Sequence, residues 1–455
     1  MRMMHRMRMC AAVSSVAALA MALTACGGGG AGDGDSTSEA FDPNAKTTIT
    51  FAGWSLKQSP EFEALANAFH ESHPNVTVQV KEYSADDYDS QLIVDLSGGN
   101  APSVFPIKNL QKYYTYAKES EGLLDVTDIA QGFAGDANID MSSYDLDGKN
   151  YAIPYRQDSY VLFYNKTMFD KAGVATPDGT WTWDDFMKAA EELKDKLPAA
   201  GYDAGAVKPA YFHIPQAWPF NQAMALAQSD LKAEDTYFKG DYSYIKPFFE
   251  RQLKIQQEGL ALDFNTVSAN KVQYQAQFGT QKAAMMPMGT WYVSTLVKQQ
   301  KSGAAEQFEW GMAPVPQTQG VTSKTGNPIT YGDPSGLAVS RSATEQQRAA
   351  AKEFVKWCAG EEGATVLAKI AATPAYFSSK VVDTYFQADG VPSDDLSKKA
   401  WREHDTRPEN PVGASTDSIM SILKTAGSGA LSGTQSIDEA LADASKQVRN
   451  TVLQQ

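Results

Sequence analysis

The stretch at 151–166, YAIPYRQDSYVLFYNK, constrains the fold more than any other part of the chain. It holds two apolar, strand-like runs, separated by a polar segment that contains Arg156, Gln157 and Asp158. Two strands joined through a polar, Pro-marked bend predict that the chain crosses here from one packed unit to another. A carboxylate and an amide at such a crossing would face the gap between the units. The stretch therefore predicts a crossing between two packed units, with polar side chains at the gap between them.

Strand and helix patterns alternate on the N-terminal side of this crossing. A β-rich run at 47–52 precedes a helical pattern that His73-Pro74 ends, and alternating valines at 76–80 precede a helix starting at Asp86 or Asp87. The βαβα order predicts an α/β unit with a parallel sheet. Capping patterns predict that three later helices begin after Thr182, Thr344 and Ser436. We predict a loop-rich segment at 198–219.

The N-terminus indicates export. A basic segment with Arg2, Arg6 and Arg8 precedes an apolar run at 11–22 and the tetrapeptide Leu-Thr-Ala-Cys that ends at Cys26. This pattern resembles a bacterial lipoprotein signal peptide, residues 1–25, which implies that Cys26 is the first mature residue and carries diacylglycerol. Residues 26–45 are rich in Gly, Ser and Asp and predict a flexible tether. A lipid-anchored body would work just outside a membrane.

Composition excludes several other functions. The chain has 455 residues, 43% of them hydrophobic, which predicts two or three domains. A net charge of −14 with no basic cluster in the body argues against nucleic-acid binding. Cys358 is the one cysteine left after Cys10 and Cys26, so no disulfide can form within the mature chain. The pair His70 and His73 lacks the spacing of a zinc-protease motif, and no phosphate loop or serine-hydrolase elbow occurs, so we expect no cofactor or metal.

Three tryptophans lie at the ends of apolar runs. Trp54 follows the first strand pattern, Trp218 lies in a Pro-flanked segment, and Trp291 follows Gly289. Each tryptophan taken alone is more often a core residue than a ligand contact. Together they are typical of a carbohydrate cleft, because aromatic faces stack on the C–H faces of sugar rings while carboxylates and amides accept bonds from the hydroxyls.

The order of the motifs resembles one known family along nearly the whole chain. The resemblance is to the solute-binding lipoproteins of bacterial ABC importers, in the carbohydrate-binding branch related to the maltose-binding protein. The matching blocks are F-x-x-x-H-P-x-V-x-V at 69–78, G-x-x-A-P-x-V at 98–104, G-K-x-Y-x-I-P at 148–154, Y-N-K at 164–166, W-T-W-D-D-F at 181–186, A-A-M-x-x-x-G-x-W at 283–291, R-P at 407–408 and S-I-x-E-A-L at 436–441.

The resemblance implies two α/β lobes, each with a parallel sheet, joined by a hinge of three crossings. These crossings would lie near 151–156, 331–337 and 373–376. The implied domains are an N-lobe at 46–154 and 338–374 and a C-lobe at 155–337 and 375–455.

The resemblance also implies which residues touch the ligand, because the hinge, the post-strand loops and the second crossing line the cleft in this family. One departure concerns 412–419, which has no aromatic residue where the maltose-binding protein has a stacking tryptophan. The identity of the sugar is therefore left open. The implied ligand-binding residues are Trp54, Lys108, Asn109, Gln157, Asp158, Gln216, Trp218, Trp291, Gly332 and Asp333.

The implied function is capture of a carbohydrate, as an oligosaccharide, and its delivery to a membrane permease. The protein would be a monomer without enzymatic activity, lipid-anchored to the outer face of the cell membrane. Two alternatives are kept. The first is an exported glycan-active enzyme that uses Asp158 and Asp333 as its carboxylate pair. The second is a protein that delivers its ligand to a sensor.

Overall fold

A computed structural model describes residues 40–454, except residues 58, 86, 109, 111, 112, 114, 115, 118–121 and 322, and at 214–219 it describes the backbone alone. The predicted signal peptide, the predicted lipidation site Cys26 and the tether up to residue 39 lie outside the described residues. Asn109 also lies outside them. The rest forms one compact unit that extends to the C-terminus.

The strands differ in length from two to eight residues. In chain order they are β1 (Thr47–Trp54), β2 (Val76–Tyr83), β3 (Val104–Ile107), β4 (Asp145–Leu146), β5 (Lys149–Asn150), β6 (Ile153–Gln157), β7 (Tyr160–Asn165), β8 (Lys208–Ala210), β9 (Ala283–Gly289), β10 (Trp310–Pro314), β11 (Ile329–Tyr331), β12 (Pro334–Val339) and β13 (Asp405–Arg407).

The helices lie between and after these strands. They are α1 (Glu61–Ser72), α2 (Tyr88–Ser97), α3 (Thr127–Gly132), α4 (Lys166–Ala172), α5 (Trp183–Lys196), α6 (Ile214–Ala227), α7 (Lys246–Gln257), α8 (Phe264–Ala269), α9 (Tyr292–Ser302), α10 (Glu345–Ala359), α11 (Glu361–Lys369), α12 (Ser379–Gln387), α13 (Asp395–Arg402), α14 (Thr416–Ser432) and α15 (Ile437–Gln447), which continues into a π-helical turn at Val448–Leu453. No helix in the described part of the chain is long and apolar enough to cross a membrane.

The first sheet has the strand order β2-β1-β3-β12-β6. Strand β1 pairs in parallel with β2 and β3, whereas β12 runs antiparallel to both of its neighbours. Helices α1 and α10 cover this sheet, and Phe62, Phe69 and Phe354 pack with the strands in one apolar core. The same core buries Cys358, as expected for a small core residue. We call this sheet with its helices the first lobe.

The second sheet has the strand order β10-β7-β9-β8. Its central strands β7 and β9 are buried along their whole length because helices cover both faces. Helix α5 packs Phe186, Ala190 and Leu193 against this sheet, with the predicted capping box at its start. The capping boxes predicted at Thr344 and Ser436 are present as well. We call this second sheet with its helices the second lobe.

One secondary-structure prediction is wrong. The segment 198–219, predicted as loop-rich, contains strand β8 and the first turns of α6. Two prolines made the segment look irregular. Pro215 lies in the first turn of α6, where its missing N–H costs nothing, and Pro219 is tolerated further along the helix. Gln216 and Trp218 therefore belong to a helix.

The sheet order shows where the chain passes from one lobe to the other. Strand β6 belongs to the first sheet and β7 to the second, so the first switch falls at Asp158 and Ser159. The second switch falls at Gly332 and Asp333, between β12 of the first sheet and β11, which pairs with β13 and packs on the core of the second lobe. The residues 155–157 and 334–337, which the prediction assigned to the C-lobe, extend the first sheet because β6 and β12 pair with each other there. The predicted two-lobed α/β class is confirmed. The prediction of a parallel sheet in each lobe is wrong, since β12 runs antiparallel to its neighbours in the first sheet and β7 runs antiparallel to β10 and β9 in the second.

Candidate functional site at the hinge and between the lobes

The crossings pack directly against one another. A Cβ atom on Gly332 would lie 2.1 Å from the carbonyl oxygen of Asp158, so glycine is what lets the second crossing approach the first. The third crossing joins them where the N–H of Gln157 donates to the carbonyl of Thr373 at 3.3 Å. Gln157 is the last residue of β6 and is half-buried. The predicted hinge residues are thus brought together around one short segment.

Buried charged and polar side chains in this segment form a chain of ion pairs and hydrogen bonds. Glu61 Oε1 accepts from one terminal nitrogen of Arg156 at 2.6 Å, and Asp158 Oδ2 accepts from the other at 2.8 Å. Asp158 Oδ1 accepts from the hydroxyl of Thr290 at 3.0 Å. No member is more than 8% exposed. We call Glu61, Arg156, Asp158 and Thr290 the hinge relay.

The hinge relay defines the surroundings of Asp158, which is the predicted hydroxyl acceptor at the hinge. Burial raises the pKa of Asp158, and the guanidinium of Arg156 opposes that rise. Both carboxylate oxygens already accept hydrogen bonds from the protein. A direct bond from Asp158 to a ligand stays a prediction, and the geometry adds a second role in holding the two lobes together.

Trp291 is the half-buried aromatic residue at the end of β9. Its ring lies where a side chain on Gly289 would be, since a Cβ there would come within 1.8 Å of the ring. The ring of Tyr160 meets the Trp291 ring edge-on, with 5.4 Å between the ring centres. The centre of the Tyr160 ring lies 4.5 Å from that of Tyr331. The fourth member of the group is Phe220, whose ring centre lies 5.4 Å from that of Tyr160. We call Tyr160, Phe220, Trp291 and Tyr331 the aromatic wall, in which the other three residues are buried and hold Trp291 in place.

Two carboxylates lie close together at the second crossing. The backbone N–H of Glu409 donates to Asp333 Oδ1 at 3.0 Å. Burial raises the pKa of Asp333, and the negative charge of Glu409 raises it further. Asp333 follows Tyr331 of the aromatic wall by two residues. The predicted acceptor Asp333 therefore lies at the hinge end of the wall, beside an acid that the sequence did not indicate.

Trp54 and Lys108 are neighbours on the first lobe. Trp54 ends β1 and packs edge-on against Phe62 at 4.9 Å and Tyr88 at 4.8 Å. The ammonium of Lys108 lies 5.1 Å from the centre of the Trp54 ring. Lys108 itself is exposed and follows β3. The two predicted contacts thus form one cation–π pair, whose indole is mostly used in packing.

A contact between the lobes is made from the second half of α9. The ammonium of Lys298, on α9 of the second lobe, donates to the backbone carbonyl of Lys57 on the first lobe. Trp291 directly precedes α9. The two lobes therefore touch through α9 as well as at the hinge.

The other predicted ligand residues cannot be placed from their side chains. Gln216 and Trp218 lie in α6, but their side chains are outside the described part of the structure, as is Asn109. Sequence reasoning missed Glu61, Thr290 and Tyr160, whose partners are far away in the chain. Only Arg156 and Tyr160 carried a signal, since they flank the predicted acceptor Asp158. Among the described residues, no cluster of three or more His, Cys, Asp or Glu side chains could hold a metal ion.

Two α/β lobes, three crossings packed at one hinge and an aromatic wall beside it define a solute-binding protein of the two-lobed class. The sequence profile of the family described as bacterial extracellular solute-binding protein matches residues 53–365. The chain belongs to this family, which confirms the predicted family and its extracytoplasmic location. Members of the family are binding proteins.

The chain is similar to curated relatives along most of their length. It is 23% identical to the melibiose/raffinose/stachyose-binding protein of Bacillus subtilis over 364 residues, which is 78% of this chain and 80% of that protein. It is also 23% identical to the multiple sugar-binding protein of Streptococcus mutans over 384 residues, 81% of this chain and 79% of that one. Both relatives are named for the sugars that they bind.

Solved structures share the fold. A sugar transporter protein from Rhizobium etli, in an open conformation, has a TM-score of 0.71 and 28% identity, covering 88% of this chain and 99% of that one. An ABC substrate-binding protein from Listeria monocytogenes in complex with cycloalternan has a TM-score of 0.72 and 20% identity, covering 89% and 99%. These similarities extend over both lobes.

Proposed function

We propose that the protein is the substrate-binding component of an ABC importer, which captures an oligosaccharide between its lobes and delivers it to a membrane permease. The observation that carries the proposal is the partly buried Trp291, which is fixed over Gly289 and belongs to the aromatic wall, at whose hinge end Asp333 lies against Glu409. An indole face with carboxylate acceptors at its edge suits a pyranose ring, which has apolar C–H faces and hydroxyl donors around its rim. The sugar-binding names of the relatives support the same class of ligand.

The lobes would close on the sugar as two rigid bodies. The ligand would first contact Trp291 and the acceptors of the second lobe, and the Trp54–Lys108 pair of the first lobe would follow. Closure would be favoured because the ligand touches both lobes at once only in the closed form. The permease would recognise that closed form.

The N-terminal features complete the proposal. Diacylglycerol on Cys26 would hold the protein at the outer face of the cell membrane, and the tether to residue 45 would let the body reach the permease. We propose that the protein is a monomer with a single ligand-binding cleft.

Binding without turnover fits the acids at the site. The carboxylates considered for catalysis are Asp158, which is paired with Arg156, and Asp333, which lies against Glu409. A hydrolase would need one free nucleophile or base facing a proton donor across the sugar. We therefore assign these acids to hydrogen bonding and to the hinge.

A binding experiment on the folded body tests the proposal. Titration calorimetry and thermal shift with a panel of neutral oligosaccharides are expected to give one binder that raises the melting temperature and quenches tryptophan fluorescence, with no product formed. Trp291→Ala should abolish the quenching, whereas Trp291→Phe keeps an aromatic face and should retain part of the affinity.

Trp181→Phe is the matched control, because Trp181 packs on the core of the second lobe, 6.4 Å from Phe169, away from the hinge. It should bind the sugar like the wild type. A thermal shift with a peptide or a polyol, and none with any glycan, would contradict the carbohydrate proposal. Release of cleaved sugar would contradict the assignment as a binding protein.

A further inference from the structure

Residues on the two sides of Gln157 are held by different lobes. Arg156 lies in β6, where it pairs with Ser335 of the first sheet and bridges to Pro374. Asp158 follows Gln157 and belongs to the segment that the second lobe holds. The first crossing can therefore bend at Gln157 only if the backbone positions of Arg156 and Asp158 change relative to each other.

Thr290 fixes the second-lobe side of this crossing. Its N–H donates to the carbonyl of Ser159 at 3.0 Å, and its hydroxyl oxygen accepts from the N–H of Ser159 at 3.2 Å. The same hydroxyl donates its proton to Asp158 Oδ1 at 3.0 Å. Asp158 is therefore attached to the end of β9, one residue before Trp291.

Glu61 fixes the first-lobe side. It lies in the first turn of α1, is 3% exposed, and accepts from Arg156 at 2.6 Å. Because Glu61 holds one terminal nitrogen of Arg156, the guanidinium cannot follow Asp158 if the second lobe rotates away. The ion pair between Arg156 and Asp158 is thus the link of the hinge relay that spans the bend.

We propose that the Arg156–Asp158 ion pair is a hinge latch, which favours the arrangement of the lobes seen here, with Lys298 of the second lobe in contact with Lys57 of the first, before any ligand binds and positions Trp291 for the sugar. The pair is buried, so the attraction between its charges is stronger than it would be in water, and separating them leaves each charge without its partner. Because Thr290 is hydrogen-bonded to Asp158 and directly precedes Trp291 in the chain, a movement of Asp158 changes the position of Trp291. Glu61, Arg156 and Thr290 are positioning residues that act without touching the ligand.

The latch lowers the cost of closing. A protein that is closed for only a fraction of the time binds with an affinity reduced by that fraction, so weakening the latch should weaken binding in proportion. The effect on affinity rests on the proposed sugar-binding function. The effect on the distance between the lobes does not, because it is measured without ligand.

Distance measurements between spin labels test the proposal. Labels can be placed at Val94→Cys on α2 of the first lobe and at Leu231→Cys on the second, since both side chains are exposed. The protein used is the body from residue 40, which is compact by itself and whose remaining cysteine, Cys358, is buried. Wild type without ligand is expected to show a closed population.

Thr290→Val keeps the shape of the threonine and removes the hydrogen bond to Asp158, and Asp158→Asn removes the charge that pairs with Arg156. Both variants should shift the ligand-free distances to longer values and weaken sugar binding by about tenfold. Saturating sugar should restore the short distance. Thr290→Ser, which keeps the hydroxyl, should behave like the wild type.

Thr425→Val is the matched control, because Thr425 is exposed on α14, and its hydroxyl bonds only to the carbonyl of Ser421 within that helix. It should change neither distance nor affinity. Thermal melting of each variant shows that it is folded. Ligand-free distances that are identical in wild type, Thr290→Val and Asp158→Asn would overturn the latch, whatever ligand the protein binds.

Discussion

The two lobes each place a tryptophan one or two residues after a glycine at the end of a strand, yet they use it differently. Trp54 of the first lobe is held between Phe62 and Tyr88, which are core residues, and Lys108 lies over it from outside. Trp291 of the second lobe lies over Gly289, and the remaining residues of the aromatic wall support it from behind.

The charges beside the tryptophans differ as well. Lys108 is a cation on the first lobe, whereas Asp333 and Glu409 are acids on the second. Acids accept hydrogen bonds from sugar hydroxyls, whereas the two indoles are alike in being partly buried against two core clusters each. From this difference in charge we propose that the second lobe carries most of the sugar recognition and that the first lobe completes the site by closing on it.

The largest expected effect on sugar affinity comes from a methyl group added at Gly289, two residues before Trp291. Gly289→Ala places a Cβ within 1.8 Å of the Trp291 ring, so the ring must leave its position over the strand. We expect about a hundredfold loss of sugar affinity and a loss of about 1–3 kcal/mol in the free energy of unfolding. Calorimetric titration and urea unfolding measure the two quantities.

Gly53→Ala is the matched variant on the first lobe. Its Cβ would meet the ring of Phe62 at 2.8 Å, so the strain falls on the core and leaves Trp54 in place. A similar loss of stability with nearly unchanged affinity is expected. Equal losses of affinity in the two variants would remove the difference between the lobes.

Removing the first-lobe indole should affect folding more than binding. Trp54→Ala deletes the edge-on contacts with Phe62 and Tyr88 and opens a gap between two core clusters. We expect a loss of about 2 kcal/mol in the free energy of unfolding, with a smaller change in the free energy of sugar binding. Chemical denaturation measures the free energy of unfolding, and calorimetric titration of the same preparation measures the free energy of sugar binding. A loss of binding larger than the loss of stability would make Trp54 a principal ligand contact.

The main features of this architecture could be predicted from local patterns. The two runs at 151–166 are strands in different sheets, and the capping boxes at Thr182, Thr344 and Ser436 start helices as expected. Such features depend on residues that are neighbours in the chain. The motif order then indicated the family, because a series of weak blocks in a fixed order is far more specific than any one block.

The hinge relay and the aromatic wall could not be predicted in this way. Glu61 and Arg156 meet across 95 positions, and Asp158 and Thr290 across 132. Sheet pairing and the approach of the two lobes place these side chains. The neighbouring sequence contains no pattern that predicts either of these long-range contacts. The same holds for Tyr160 and Tyr331, whose stacking depends on β7 and β11 lying side by side in the second lobe.

The acid pair of the second lobe gives a pH-dependent prediction. Because burial and Glu409 raise the pKa of Asp333, the folded protein keeps this proton to a higher pH than the unfolded chain does. Stability should therefore fall as the pH rises from about 4 through the raised pKa, where the proton is lost. Asp333→Asn should remove this part of the decrease and stabilise the protein by about 1 kcal/mol at pH above the raised pKa, while weakening sugar binding.

Thermal unfolding across the pH range, without ligand, measures this effect. Asp145→Asn is the control, since Asp145 is exposed and lies in the hairpin of β4 and β5. It should leave the pH profile unchanged. If Asp333→Asn were no more stable than the wild type at any pH, the repulsion between the two acids would not be a feature of the folded protein.

The smallest effect is expected at the cation of the first lobe. Lys108 is exposed, and its ammonium stands 5.1 Å from the Trp54 ring, so water competes with both the indole and any ligand for its charge. We expect Lys108→Met to change the free energy of sugar binding by about 0.5–1 kcal/mol and stability by less. This loss should shrink in high salt if the charge acts on the acids of the second lobe during closure, and should be unaffected if Lys108 acts through the indole alone. Titrations at two salt concentrations distinguish these outcomes. A loss as large as that of Gly289→Ala would mean that the first lobe recognises the sugar as strongly as the second.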